Sequence, residues 1–175
     1  MQYDDAMRRP EPTEYHPEFG HYISLVPETD VVGAMISQLA ETRAFLGGFD
    51  AERAGYRYAE GKWSIREIAG HLSDGERVFG YRTFAIARGE TASLPGFDEN
   101  SYIAESGYDL WAMPDLIEHF SALRTSNILM LRALDEAAWS RVGIANESPV
   151  TPRAIAFAMV GHVRHHLKTL RERYL

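Results

Sequence analysis

Cysteine is absent from this 175-residue chain. Disulfides, thiolate metal ligands and thiol nucleophiles are therefore excluded together. No apolar run approaches the roughly 18 residues that cross a bilayer. The opening MQYDDAMRRPEPTEY puts acids where a secretory signal would need an apolar stretch. Positive charge is in deficit, with 18 Lys and Arg against 25 Asp and Glu and a net charge of −7 at pH 7. Such a balance gives a phosphate backbone nothing to bind, so a nucleic-acid role is disfavoured. Taken together, these absences predict a cytoplasmic protein with no membrane span. Several catalytic signatures are missing as well. There is no Walker or GxGxxG loop, no HExxH, no pair of ExxH motifs as in di-iron carboxylate bundles, and no GxSxG elbow. No segment alternates like a strand, and YRYAEGKWS at 56–64 reads as a turn or a brief extended piece.

What is present is globular: 45% of residues are hydrophobic and 25% charged, in a chain long enough for one domain with a proper core. Residues 1–27 hold four of the eight prolines and no sustained period, and are expected to form an extended arm over a domain spanning 28–175. Four helical segments follow. TDVVGAMISQLAETRAFLGG opens at a Thr/Asp cap and stops at Gly47-Gly48. SIREIAGHLSDGERVFGYRTFAIARG opens with Ser64 and Glu67 in capping-box spacing and ends near Gly89. The third begins at Pro114 in MPDLIEHFSALRTSNILMLRALDEAAW, and the fourth at Thr151-Pro152, running to the C-terminus. Four amphipathic helices in one domain imply an all-α four-helix bundle. The connection at 90–113 is long, so it either crosses the bundle or serves as a lid.

The chemistry concentrates in GHVRHHLKTLRERYL, where three of the seven histidines fall within five positions. At about 100° per residue, His162 and His166 share a face with the apolar stripe Ile155, Met159, Val163 and Leu170. His165 lies at its margin. Imidazoles one turn apart in a core are costly unless their nitrogens are satisfied, and one divalent ion satisfies both. A third ligand is available in His71, at the edge of the Ile68, Leu72, Phe79 and Ile86 stripe, with Gly75 leaving room beside it. Three histidines with one open position are the pattern of a catalytic metal site. Zinc, nickel and iron all suit imidazole ligands.

KWSIREIAGHLSDGE, LPGFDENSY and GHVRHHLKTLRERY together resemble the DinB/YfiT-like superfamily of metal-binding four-helix bundles, from about residue 28 to the end. The resemblance implies an up-down-down-up bundle with a long crossover between its second and third helices, often dimeric. It also implies one divalent metal on His71, His162 and His166. Members of that family include thiol S-transferases using bacillithiol or mycothiol, a mycothiol-dependent isomerase, and presumed metal-dependent hydrolases. The expected activity is therefore metal-dependent transfer to a low-molecular-weight thiol or hydrolysis of a small-molecule substrate. The alternative is a bundle that binds a metal or ligand without catalysis. Around the centre, His165 could orient a ligand or move a proton, and Arg82 could attract an anionic group or form an ion pair. Asp98 could reach a histidine or form a turn. Asn127, within the third helix's stripe, could fix bundle register or reach the metal site, and the first is favoured. Trp63, Trp111 and Trp139 are expected to pack core or loops.

Overall fold

The computed structural model describes residues 8–175. Helices α1 (Gly20–Ser24), α2 (Val31–Leu46), α3 (Ile65–Ala87), α4 (Glu99–Ser106), α5 (Met113–Arg132), α6 (Glu136–Trp139) and α7 (Pro152–Arg173) carry the fold. Strands β1 (Gly143–Ala145) and β2 (Ser148–Val150) form a small antiparallel hairpin. Three of the four long helices begin at the caps read from the sequence, and α5 starts at Met113, one residue before Pro114. Asp30 accepts from the Gly33 amide at 2.8 Å at the start of α2. Ser64 and Glu67 close a reciprocal capping box on α3. Thr151 caps α7 through the Ala154 amide at 3.1 Å, with Pro152 at the first helical position.

Cross-helix contacts set the directions of α2, α3, α5 and α7. Gln38 and Glu41 of α2 meet Val160 and Arg171 of α7 in rising order, so these two run parallel. Arg77 of α3 meets His119 and Gly80 packs on Asn127, so α3 and α5 are parallel as well. Tyr174 donates to the Trp63 carbonyl while Phe79 packs on His162, which makes α3 and α7 antiparallel. The result is an up-down-down-up four-helix bundle whose long crossover joins α3 to α5. That crossover carries α4 and a short 3-10 turn at Tyr108–Leu110.

The core is divided. One apolar cluster gathers Met35, Phe79, Ile128, Ile155 and Phe157, and the other Leu46, Leu72, Phe120, Val163 and Leu167. Between them lies a polar layer to which all four helices of the bundle contribute. Arg124 is fully buried and donates to Glu76 at 2.6 Å and Gln38 at 2.9 Å. Gln38 donates to the Val160 carbonyl, and Asn127 donates to the Glu76 side chain at 2.9 Å. Asn127 thus has the structural role its place in the stripe suggested. Residues 151–163 of the last segment are all buried, so the first half of α7 is central rather than one-faced.

Three local expectations change. The described part of the proline-rich arm is not extended throughout. Prolines at the first helical position start 3-10 turns at Pro12–Glu14 and Pro17–Phe19, and α1 follows against α7. The third segment breaks after Arg132, and Asp135 caps α6 separately. The hairpin was illegible because its strands have three residues each, and its turn uses Asn146 and Glu147 at φ 50° and 61° in place of the usual glycine. Its first strand is bridged to Leu94, which ties the crossover down: the Leu94 amide donates to Ile144 and the Asn146 amide to Leu94, both at 2.9 Å.

Removing one charge of the buried pair should cost far more than removing both. Arg124→Ala is expected to lower stability by about 3–5 kcal/mol in denaturant unfolding, with Arg124→Met plus Glu76→Met recovering most of that loss.

Candidate metal centre

The α3 capping network fixes the height of His71. Glu67 returns to the Ser64 amide at 2.6 Å, Arg57 pairs with Glu67 and Asp109, and Ser64 donates to Asp109. His71, about two turns into α3, is 4% exposed; His162, in the buried half of α7, is 5% exposed. His166 lies one turn further along α7 and is half-buried. Gly75 makes the approach possible, because a β-carbon there would stand 2.8 Å from Cε1 of His162. The room it leaves is thus for His162 rather than His71.

The three rings converge. Nε2 of His71 lies 2.9 Å from Nε2 of His162, and one ligand nitrogen from each of the three residues falls within 4.8 Å of the others. Around one ion, with bonds of about 2.0–2.1 Å, such nitrogens would be roughly 3–3.5 Å apart, which a small rotation supplies. Among the described residues, no further histidine and no carboxylate joins the group.

Burial decides the protonation state. Desolvation lowers the His71 pKa to about 4, and lowers His162 and His166 well below 6.5, with neighbouring positive charge adding to the effect. All three are therefore neutral at pH 7, the form in which an imidazole offers a lone pair to a metal. Nδ1 of His71 is buried without a partner. Two neutral imidazoles can share one N–H···N hydrogen bond, which serves His71 and His162 and leaves no lone-pair partner for the third ring, whereas one cation accepts a lone pair from all three. The donor set fits a divalent ion.

Aromatic rings wall the group. Trp63 lies 4.8 Å from the His71 ring and stacks on His166 at 6.4 Å. Tyr22 and Phe79 meet the His162 ring edge-on at 5.5 and 5.7 Å. Tyr22 comes from α1, which sits so close to α7 that a β-carbon on Gly161 would lie 2.0 Å from its carbonyl oxygen. A cavity of about 480 Å³ opens beside the histidines, lined also by Arg82, Phe97 and Asn146.

Of the remaining sequence candidates, His165 stands half-buried at the cavity rim, with its Nδ1 3.2 Å from Nε2 of His21. Arg82 is 5% exposed and donates to the Pro95 carbonyl at 2.7 Å. Asp98 does not reach a histidine. It is exposed and caps α4, accepting from the Asn100 amide at 3.0 Å, because the backbone there already needs an acceptor. His21, Tyr22 and Trp63 were not expected at the site. The first two lie in an arm without periodicity, and a tryptophan just before a helix cap reads as packing.

The sequence profile of the DinB superfamily matches residues 35–170. The chain belongs to the DinB superfamily. Among solved structures it is similar to YfiT from Bacillus subtilis, described as a probable metal-dependent hydrolase with an unusual four-helix bundle topology. The TM-score is 0.73 at 16% identity, over 94% of this chain and 90% of that one. A search of curated proteins finds no match. In this DinB-superfamily chain no described helix is long and apolar enough to cross a membrane.

Gly75→Ala should raise helix propensity by about 1 kcal/mol yet displace His162. Helical content by circular dichroism is expected to be unchanged while divalent-metal affinity falls at least about tenfold. Acid should act in a defined window. The folded His71 titrates near 4 and the unfolded one near 6.5, so the unfolded chain binds the extra proton first. Stability of the metal-free protein is therefore complete above about pH 6.5 and declines toward pH 4, by up to about 1.4 kcal/mol per pH unit for each such histidine. Urea melts across pH 4–7 check this.

Proposed function

We propose that this protein is a metal-dependent enzyme that activates a nucleophile on a small-molecule substrate, with His71, His162 and His166 as the ligands. The observation that carries this reading is the convergence of three neutral imidazoles, with no fourth protein ligand among the described residues, at the wall of a cavity of about 480 Å³. When bound, the ion would supply positive charge that lowers the pKa of a nucleophile placed at its open position.

The chain's own residues supply the rest. His71, His162 and His166 hold their lone pairs toward one point because burial keeps them unprotonated. Trp63, Tyr22 and Phe79 exclude water from the ligand side and fix the ring planes. His165 and His21, in contact at 3.2 Å at the rim, can pass a proton between cavity and solvent.

Water is the simplest nucleophile, which makes the protein a hydrolase, in keeping with the description of YfiT. A second reading is S-transfer to a low-molecular-weight thiol. The cavity volume accommodates an electrophile and a small thiol together, and the thiol must come from outside because the chain has no cysteine.

Purified protein is expected to hold about one divalent ion per chain, be it zinc, nickel or iron, by elemental analysis. His162→Ala and His166→Ala should abolish binding, while His165→Ala keeps most of it. Equal loss from all three changes would refute the ligand assignment. Loaded protein is then offered ester and amide substrates alone, and a bimane or chloronitrobenzene electrophile with and without small thiols. Thiol-independent hydrolysis that disappears in His162→Ala supports the hydrolase; thiol-dependent conjugation with the same loss supports the transferase. Metal bound with neither activity would refute catalysis.

A further inference from the structure

The described part of the protein buries three arginines beyond nine-tenths, and they are not alike. Arg124 and Arg153 are fully buried, and each lies against a carboxylate: Glu76 at 2.6 Å for the first, Glu136 at 2.5 Å for the second. Arg82 is 5% exposed and has no carboxylate within ion-pair distance among the described residues. Its hydrogen bond goes to the Pro95 carbonyl at 2.7 Å, and its Nε, like that of Arg124, is buried without a partner, so the missing carboxylate is what sets it apart. A guanidinium has five N–H donors and retains its charge when buried. Desolvation pushes the Arg82 pKa down, so its surroundings do not compensate the charge. Burying an unpaired cation is costly, and such a residue persists where an anion completes it.

Its position says what it would complete. His71, Gly75, Phe79 and Arg82 follow one face of α3 at successive turns. All but Gly75 line the same cavity, which His162 and His166 also line. Eleven residues of helix separate the α-carbons of His71 and Arg82, about 16 Å of rise. The wall between them includes Phe79 and Phe97.

We infer that Arg82 is the anchor for a carboxylate on the substrate, at the end remote from the reacting group. The site thereby selects small carboxylic acids with an apolar middle. This rests on the proposed metal-dependent activity for the word substrate, while the anion site itself stands on Arg82 alone. A carboxylate matches the planar fork of the guanidinium. A doubly charged phosphate suits it less, because the exposed Glu18 and Glu99 also line the cavity and repel a second negative charge.

The test uses metal-loaded protein and three probes: 4-phenylbutyrate, its neutral isostere 4-phenylbutanamide, and phenyl phosphate. Affinity is measured by calorimetry, and occupancy of the site by the Arg82 Nε–H resonance in nitrogen-15 spectra, assigned by its loss in Arg82→Gln. The butyrate is expected to bind about tenfold or more tighter than the amide and to shift that resonance. Arg82→Gln should erase the difference while leaving amide binding and the bound ion unchanged. Arg82→Lys keeps the charge without the fork, is expected to retain part of the preference, and keeps the test decisive if the Gln variant fails to fold. Equal binding of acid and amide, no binding of either, or a preference that survives in Arg82→Gln would each overturn the inference. So would tighter binding of phenyl phosphate, or carboxylate binding that leaves the Arg82 resonance unmoved, which would place the acid on the ion. A protein that lacks metal or catalysis but passes these measurements would refute the proposed activity and leave the anion site standing.

Discussion

The ion pair between Arg124 and Glu76 is the constraint on which the rest of the bundle depends. Apolar contacts tolerate sliding, since one leucine against another costs little to shift. A buried guanidinium does not. If α3 slipped by one residue, Glu76 would turn about 100° away and two charges would be left in a core without water. The same layer takes in Gln38 from α2, Asn127 from α5 and the Met159 and Val160 carbonyls of α7. It therefore sets the relative heights of all four helices. His162 follows those carbonyls within a turn, and Gly75 immediately precedes Glu76. The layer that divides the core thus also places His162 opposite the one position on α3 that can receive it.

The sequence made the inside of this arrangement readable, and its connections much less so. Spacing put His162 and His166 on one face and His71 at the core edge of its own helix, because helix geometry converts sequence distance into direction, and the family resemblance pointed to the same three together. Capping signals at Ser64 and Thr151 fixed where α3 and α7 start, and with them which way the rings face. Asn127 was legible for the same reason. The hairpin at 143–150 was not, since three-residue strands carry almost no alternation and the turn at Asn146-Glu147 lacks a glycine. Nor were His21 and Tyr22, whose place against α7 depends on a contact across about 140 residues of chain. For Asp98 the sequence left two roles open, and the structure has the local one. An acid next to a suggestive loop was weighed as a site residue, while its backbone needed it as a cap.

The centre and its surroundings are built differently. The three imidazoles belong to α3 and α7, two of the four helices joined by the polar layer, where burial suppresses protonation and packing limits movement. The cavity beside them takes its remaining walls from the α1 arm, from the crossover at Gly96 and Phe97, and from Asn146 of the hairpin turn. Leu94 pairs with the hairpin, so two of these connections form one unit. The arm and that unit are both held by backbone hydrogen bonds and by apolar side chains sunk into the core, Ile23 and Val26 from the arm and Leu94, Ala145 and Val150 from the crossover and hairpin.

Gly161 joins the two mechanically. With only a hydrogen on its α-carbon, α7 lets the Tyr22 carbonyl settle directly onto the helix surface, and the Tyr22 ring reaches His162. The arm is thus a fitted part, seated in a notch one atom deep. The segments on either side of that seat are tied down as well: Glu14 pairs with Arg153 and Glu28 with Arg164, so the arm is held to α7 on both sides of Tyr22. The arm and the last helix thus meet as one fitted surface, and the wall of the cavity that Tyr22 forms can move only if α7 moves with it.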